Sequence, residues 1–279
     1  MRTALLPLLL SSLIACGDKD DDTATESDAD TDADTDADTD ADTDTDTDSD
    51  LIEINGCVVY DDGTAANNES VRVQMCNGSG CVPSFPDEAG CFEFPAISPD
   101  TYAFDVVPTI KGAGHIYSTP LSLVTLEPGM GTWTLDETVI IYSFSTNTSL
   151  SDGTHSGDNG LAIEVDESSF TGPLEDPDAD WMGSVGVDAA SAGLPLGDIS
   201  GEVLAMWYFG PANGEADSWP FSVSGLGLAE GEQLRAYNAW YSGFEWVDLG
   251  TVTADESGTV HSDDGVGIQH LSTLILVRE

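Results

Sequence analysis

The stretch that decides the fold is INGCVVYDDGTAANNESVRVQM, residues 54–75. It begins with an apolar run that ends at Asp61-Asp62-Gly63, and Asp-Gly pairs are strong turn signals. It then continues into residues 71–75, where apolar and polar side chains alternate with the period of a half-buried strand. No part of the stretch has a helical period. The sequence therefore predicts two β-strands joined by a turn-rich connection.

The same pattern continues along residues 51–142. Short runs rich in β-branched and aromatic residues alternate with turn residues, and these runs lie at residues 90–97, 101–108, 118–126 and 137–144. Several short strands with turn signals between them are typical of an antiparallel β-sandwich. The region is therefore predicted to be the first of two consecutive β-sandwiches in an all-β protein.

This region resembles the carboxypeptidase regulatory-like domain, also called transthyretin-like or Cna-B-like. The quoted stretch and its continuation DEAGCFEFPAISPDTYAFDVVP, residues 87–108, follow the family pattern at Gly56, Val58, Asp61 or Asp62, Gly63, Val71, Val73, Gly90, Phe92, Phe94, Pro99 and Tyr102. Asp100 stands where that family usually has Gly. The resemblance implies a β-sandwich with a spacer or adhesive role. Some relatives form an isopeptide bond between a Lys on the first strand and an Asn on the last. Lys111 is the only lysine of this region and follows the fourth strand, so no isopeptide bond is expected.

Four cysteines lie in this region, at Cys57, Cys76, Cys81 and Cys91. An even number of cysteines in an exported domain predicts two disulfide bonds, for which three pairings are open. Strand alternation and the short glycine-rich loop favour Cys76–Cys81 and Cys57–Cys91. A zinc site is the alternative, but the spacing lacks the paired C-x₂-C units of such sites.

A second β pattern occupies residues 158–279, after a polar stretch at 143–157 that is expected to be a linker. This part resembles the C-terminal β-modules of bacterial surface proteins. The matching positions are Phe209, Gly210, Pro211, Trp246, Gly250, Gly258, Val260, Gly267, Ile268, Leu271 and Ser272. The resemblance implies a second antiparallel β-sandwich.

The amino terminus has the layout of a secretory signal, with Arg2, an apolar run and small residues before Cys16. Leu13-Ile14-Ala15-Cys16 resembles the lipobox of bacterial lipoproteins. The resemblance implies that residues 1–15 are removed and that Cys16 carries acyl chains such as palmitate. Those chains would hold the protein on the membrane. Gly17 stands where Asp would favour the inner membrane, so an outer-membrane or cell-surface location is expected.

Residues 16–50 are expected to be a disordered acidic tether. Every second residue from Asp28 to Asp50 is Asp, with Thr or Ala as the usual spacer, and no side chain here can build a core. A calcium loop of the D-x-D-x-D-G type needs Gly at its sixth position and Glu at its twelfth, and the repeat has neither. Weak, diffuse Ca²⁺ association is the remaining alternative.

The net charge of −46 restricts the partners. Residues 17–50 hold 17 of the 52 acidic residues, so 35 remain in residues 51–279, against four basic residues. Such a surface repels phosphate backbones, so nucleic acid is excluded as a partner.

Candidate ligand residues are few. An aromatic group in YNAWYSGFEW offers a surface for an unknown protein or glycan partner and comprises Tyr237, Trp240, Tyr241, Phe244 and Trp246. The alternative is a structural role in which these rings fill the core. Asp176, Asp178 and Asp180 are spaced like the start of a calcium loop, but Trp181 replaces its glycine. No cofactor is expected, and the scattered histidines form no H-E-x-x-H motif.

Together these features predict a non-catalytic cell-envelope lipoprotein that displays two β-sandwiches on an acidic tether. Its role would be structural, adhesive or binding. The alternative is a carbohydrate-binding accessory protein that uses the aromatic group.

Overall fold

The computed structural model describes residues 50–110, 115–197 and 199–279. Within these ranges nearly all of the regular secondary structure is β-strand, which confirms the predicted all-β class. A short 3₁₀ helix lies at Glu167–Ser169, and no helix in the described residues has the length and apolar character needed to cross a membrane. The predicted lipid attachment site Cys16 and the acidic repeat up to residue 49 lie outside the described residues.

The first half of the described chain contains eight strands. They are β1 (Ile52–Tyr60), β2 (Val71–Asn77), β3 (Gly80–Ser84), β4 (Cys91–Ile97), β5 (Thr101–Pro108), β6 (Leu121–Thr125), β7 (Thr132–Thr134) and β8 (Val139–Ile141). One sheet has the order β4-β1-β7, with β8 also paired to β1, and the other has the order β3-β2-β5-β6. Two sheets from this region agree with the predicted sandwich.

The pairing of β1 differs from the antiparallel expectation. β1 is antiparallel to β4 but parallel to both β7 and β8. β3 and β7 were also absent from the expected strands. Both are short and largely exposed, so they have no buried alternation for a sequence pattern to reveal.

The second half contains twelve strands. They are β9 (Thr146–Ser149), β10 (Gly153–Ser156), β11 (Leu161–Val165), β12 (Trp181–Val187), β13 (Glu202–Gly210), β14 (Gly214–Trp219), β15 (Phe221–Val223), β16 (Gln233–Trp240), β17 (Glu245–Ala254), β18 (Val260–Ser262), β19 (Ile268–Leu271) and β20 (Thr273–Arg278). Ten of them form one sheet in the order β10-β11-β15-β18-β17-β16-β20-β13-β12-β9, and β14 pairs with β19. All of these pairs are antiparallel.

Residues 143–157, expected to be a linker, contain strands β9 and β10. These are the two edge strands of the ten-stranded sheet, paired with β12 and β11. Their side chains are polar and mostly exposed, because an edge strand can be held by backbone hydrogen bonds on one side without burying a face. Because their composition is polar, the sequence pattern did not indicate that they are strands.

The ten-stranded sheet is buried on both faces at its centre. Along β13, Met206 and Tyr208 belong to one hydrophobic core, and the alternate residues Trp207 and Phe209 belong to another. The first core also contains the inward side chains of β1, β2, β4 and β5, while the second is built by the later strands alone. The strands from residues 51–142 therefore pack against one face of the later sheet. The described residues, from Asp50 to Glu279, belong to a single compact unit.

A second contact joins the outer face of the β3-β2-β5-β6 sheet to the later strands. Cys76, Ala103, Leu121 and Leu123 pack there with Ala239 of β16. The Thr273 hydroxyl of β20 donates to the Leu121 carbonyl of β6 at 2.5 Å. This outer face, which an isolated sandwich would present to water, is therefore largely covered.

Candidate ligand-binding cleft

The structure contains both disulfide bonds expected from the even number of cysteines. They join Cys57 to Cys91 and Cys76 to Cys81, the pairs that strand alternation favoured. Cys57 and Cys91 face each other across β1 and β4, and Cys76 and Cys81 face each other across the β2–β3 hairpin. The pairing register thus sets the connectivity.

The five candidate aromatic residues do not form one exposed surface. All are partly buried. Tyr241, Phe244 and Trp246 pack against the cluster that Ala239 forms with the outer face of the β3-β2-β5-β6 sheet. Tyr237 and Trp246 also pack against the first core. These rings therefore help to hold the early and late strands together, the arrangement in which aromatics fill the core.

Trp240 lies apart from that contact. Its ring stacks on His270, with centroids 5.2 Å apart and planes 11° apart. Burial lowers the pKa of His270, because the protonated ring loses hydration, and the nearby Glu215 charge opposes this effect. The Gly243 backbone also lies against this ring, since a Cβ added at Gly243 would be 2.0 Å from it, so the pair offers little area for a sugar.

The three aspartates considered for calcium do not converge. Asp178 and Asp180 are exposed, Asp176 is partly buried, and no group of three or more His, Cys, Asp or Glu side chains in the described residues is arranged to hold a metal ion. His115 lies near Asp176, with Nε2 and Oδ2 4.0 Å apart. The segment forms a turn in which the Ala179 amide donates to the Asp176 carbonyl.

A cleft that contains a deeply buried carboxyl group lies between the early and late strands. It has a volume of about 440 Å³ and is bounded by β2 and β5 on one side and by the chain around Trp181 and Pro211 on the other. A cleft of this size is typical of sites for small molecules. Of the five candidate aromatic residues, only Tyr241 lines it.

One wall of the cleft is a patch of four side chains from β2 and β5. Gln74 is directly opposite Asp105, and Arg72 is directly opposite Val107. Because residues two apart share a face of a strand, all four point out of the first core and into the cleft. The alternate residues of β2 and β5, such as Val73 and Phe104, fill that core.

Asp105 is the most deeply buried charged residue of this patch, at 2% exposure. Its Oδ2 accepts a hydrogen bond from the Gln74 side-chain amide at 2.9 Å, while its Oδ1 has no partner in the described residues. Burial raises the pKa of Asp105 to about 7, although the Gln74 bond and the Arg72 charge favour the ionised form. Near neutral pH this carboxyl can therefore gain or lose a proton.

The opposite wall is built on two glycines. Gly183 of β12 and Gly210 of β13 are paired in register, and a Cβ at Gly210 would lie 2.7 Å from both Phe144 and Trp181. The absence of side chains there lets these rings sit against the sheet. Trp181 is 7% exposed, and His115 lies over it with ring centroids 4.3 Å apart.

The charges around the cleft are mostly negative. Asp105, Glu175 and Asp176 contribute carboxyl groups, while Arg72 contributes a guanidinium whose Nε is buried with no hydrogen-bond partner among the described residues. The remaining lining is largely apolar and includes Val107, Pro108, Ile110 and Pro211. This mixture of an apolar lining with a few polar groups can hold and orient a small ligand.

Sequence reasoning missed this cleft. Asp105 interrupts the apolar strand TYAFDVVP at an outward position, and Gln74 and Arg72 hold outward positions of β2. These polar residues agreed with a solvent-facing side of a sandwich. No pattern within these strands indicates that the later strands cover this face and thereby bury Asp105.

The fold and the cleft define an all-β protein with two disulfide bonds and a small-molecule-sized cavity. No protein-family model and no curated protein matches this sequence. Solved structures similar to it include a DUF3823 family protein from Bacteroides ovatus, which is 10% identical with a TM-score of 0.24, the match covering 76% of this chain and 72% of that one.

A second DUF3823 family protein, from Parabacteroides merdae, is also 10% identical with a TM-score of 0.24, covering 82% of this chain and 98% of its own. The Bacillus anthracis TIE protein is 7% identical with a TM-score of 0.27, covering 82% and 49%. Likeness at this level carries no functional argument.

Proposed function

We propose that this protein is a lipid-anchored component of the bacterial cell envelope. It displays a folded all-β region, here called the β-body, on an acidic tether. Its role is non-catalytic binding or adhesion. In this view Cys16 carries the lipid, residues 17–50 form the tether, and the strands from residue 52 onward form the displayed body. The resemblance of residues 54–108 to carboxypeptidase regulatory-like domains supports a display or adhesive role for the body.

The observation that carries the proposal is the use of the five cysteines. The four that the structure describes are joined in two disulfide bonds, and the fifth is Cys16 in the lipobox-like sequence. Disulfide bonds persist in oxidising compartments outside the cytosol. An exported chain with one further cysteine, placed directly after an apolar run, fits lipid attachment at that residue.

The proposal is tested by expressing the full chain in a Gram-negative host with radiolabelled palmitate. The wild-type protein should incorporate label and partition into the detergent-rich phase. Cys16→Ser should incorporate none and remain in the aqueous phase. Cys57→Ser, which keeps the lipobox, is the matched control and should still be labelled. Equal labelling of wild type and Cys16→Ser, or no labelling of either, would contradict lipidation at Cys16.

A carbohydrate-binding role for the aromatic group has less support, although Tyr237, Phe244 and Trp246 line a separate cleft of about 400 Å³. Trp246 and Tyr241 are engaged in packing against Cys76, Ala103 and their neighbours. No residue of that group is among the exposed large hydrophobic side chains of the described residues. The envelope protein with a cleft in its β-body is therefore the function that the geometry supports best.

A further inference from the structure

Three residues that line the cleft each have a buried polar atom with no hydrogen-bond partner in the described residues. The atoms are Oδ1 of Asp105, Nε of Arg72 and Nε1 of Trp181, and Oδ1 of Asp105 is the acceptor among them. Buried polar atoms in folded proteins are nearly always paired, because an unmade hydrogen bond leaves the cost of losing water uncompensated. An unpartnered carboxyl oxygen in a cleft therefore points to a donor supplied from outside the chain.

We propose that the cleft binds a small organic cation, a primary ammonium group on an apolar body, with Asp105 accepting hydrogen bonds from the ammonium. A primary ammonium has three donors and a positive charge, so it satisfies Oδ1 and compensates the buried carboxylate. Gln74 holds the carboxyl in place through Oδ2, which fixes the acceptor that the ligand meets.

The charge of the cleft selects a cation over an anion. Asp105, Glu175 and Asp176 outnumber the two basic side chains of the lining, Arg72 and His115. The 35 acidic and four basic residues of positions 51–279 add a long-range field of the same sign, which raises the local concentration of cations. An anionic ligand would meet repulsion on approach and three carboxyl groups on arrival.

The rest of the lining suits an apolar body better than a sugar. Val107, Pro108 and Ile110 provide aliphatic contacts, and Ile110 remains 53% exposed. The face of Trp181 that a sugar ring would need is covered by His115. A hydrocarbon portion next to the ammonium would bury the apolar lining while the charge reaches Asp105.

This inference goes beyond the proposed envelope role and does not depend on it, because the cleft lies within residues 72–241 and lipid attachment concerns Cys16. The test is calorimetric titration of the full-length protein, purified in detergent at about pH 8.5, where the raised pKa of Asp105 leaves it mostly ionised. Moderate salt is included to screen diffuse attraction to the acidic surface.

The probes are three molecules of similar shape: phenethylamine, 2-phenylethanol and 3-phenylpropanoate. The amine should bind saturably at one site per chain. The neutral alcohol should bind at least tenfold more weakly, and the carboxylate should not bind detectably. Equal binding of amine and alcohol would overturn the proposal, as would preferred binding of the carboxylate or no saturable binding of the amine.

Asp105→Asn provides the variant test, because it keeps the shape of the side chain and removes its charge. It should weaken phenethylamine binding at least tenfold and leave 2-phenylethanol binding unchanged. Asp217→Asn, at an exposed position on β14, is the matched control and should bind the amine like wild type. Circular dichroism establishes that both variants are folded. Unchanged amine binding by folded Asp105→Asn would overturn the role of Asp105.

Discussion

Gln74 and Asp105 lie directly opposite each other on β2 and β5, and the Gln74 amide donates to Oδ2 of Asp105 at 2.9 Å. Both side chains leave the first core and are covered by the later strands, with exposures of 8% and 2%. This pair shows how the contact between early and late strands turns an outer sheet face into a buried polar site.

The ionisation of Asp105 should make stability fall as pH rises. Its pKa is about 7 when folded and 3.8 for an ordinary carboxyl, so between these values the folded state holds a proton that the unfolded state has lost. Asp105 therefore lowers the free energy of unfolding progressively from about pH 4 to pH 7, and the loss is complete above that range. The shift corresponds to roughly 4 kcal/mol.

Asp105→Asn should remove this dependence. The charged groups near Asp105, chiefly Arg72 and Glu175, are kept in the variant. The free energy of unfolding is measured by denaturant titration at pH 5 and pH 8.5. The value for Asp105→Asn minus that for wild type should be higher at pH 8.5 by a few kcal/mol. Asp217→Asn should show no such growth. A pH-independent difference between Asp105→Asn and wild type would mean that Asp105 titrates normally.

Trp246→Ala should destabilise the fold by about 2–4 kcal/mol, somewhat less than for a fully buried tryptophan. Trp246 packs against both the first core and the contact of the outer sheet face with Ala239, so its removal loosens two packing surfaces. Phe85→Ala, at a ring 58% exposed, is the control and should change stability by less than about 0.5 kcal/mol. Equal effects of the two substitutions in thermal unfolding would argue against the packing role of Trp246.

The two disulfide bonds should contribute unequally. Cys57–Cys91 spans 34 residues and Cys76–Cys81 spans five, and the entropy that a crosslink removes from the unfolded chain grows with loop length. Replacing the first pair by Ala should cost about 4 kcal/mol, and replacing the second about 2 kcal/mol, by this entropy model. Denaturant titration of the two double variants measures both values. A larger loss for the short loop would contradict the expectation.

Gly210→Ala should disturb the Trp181 wall of the cleft. The added methyl would lie 2.7 Å from both Phe144 and Trp181, so one ring must move, at a cost of about 1–3 kcal/mol. Gly78→Ala has no atom within 4 Å of its added methyl and is the matched control. Thermal unfolding and near-ultraviolet circular dichroism should change for Gly210→Ala only. An unchanged spectrum would show that the wall tolerates the methyl group.

The sequence predicted the strands whose faces alternate. Val71, Val73 and Met75 repeat with period two because one face of β2 fills a core, and the same alternation placed Cys57 and Cys91 where they could be joined. The pattern could not reveal strands held mainly by backbone hydrogen bonds. Thr146–Ser149 and Gly153–Ser156 are polar edge strands, so their composition matched a linker.

The cleft was not predicted from the sequence for a related reason. Arg72, Gln74 and Asp105 are polar at outward positions, which is the ordinary composition of a solvent-facing sheet. What makes them a site is burial by chain more than 60 residues away, through groups such as Trp181 and Tyr241. Alternation within one strand does not indicate which distant part of the chain covers its outer face. The aromatic group was a weaker guide, because large rings occur both in cores and in binding surfaces.

The most direct test of the cation-binding cleft is the pKa of Asp105, measured by carbon-13 NMR titration of its carboxyl group with and without saturating phenethylamine. A bound ammonium favours the ionised carboxyl, so the pKa should be about 7 in the free protein and should fall by at least one unit with the amine. The neutral 2-phenylethanol should leave it unchanged. A free-protein pKa near 4, or one that the amine does not lower, would contradict the account.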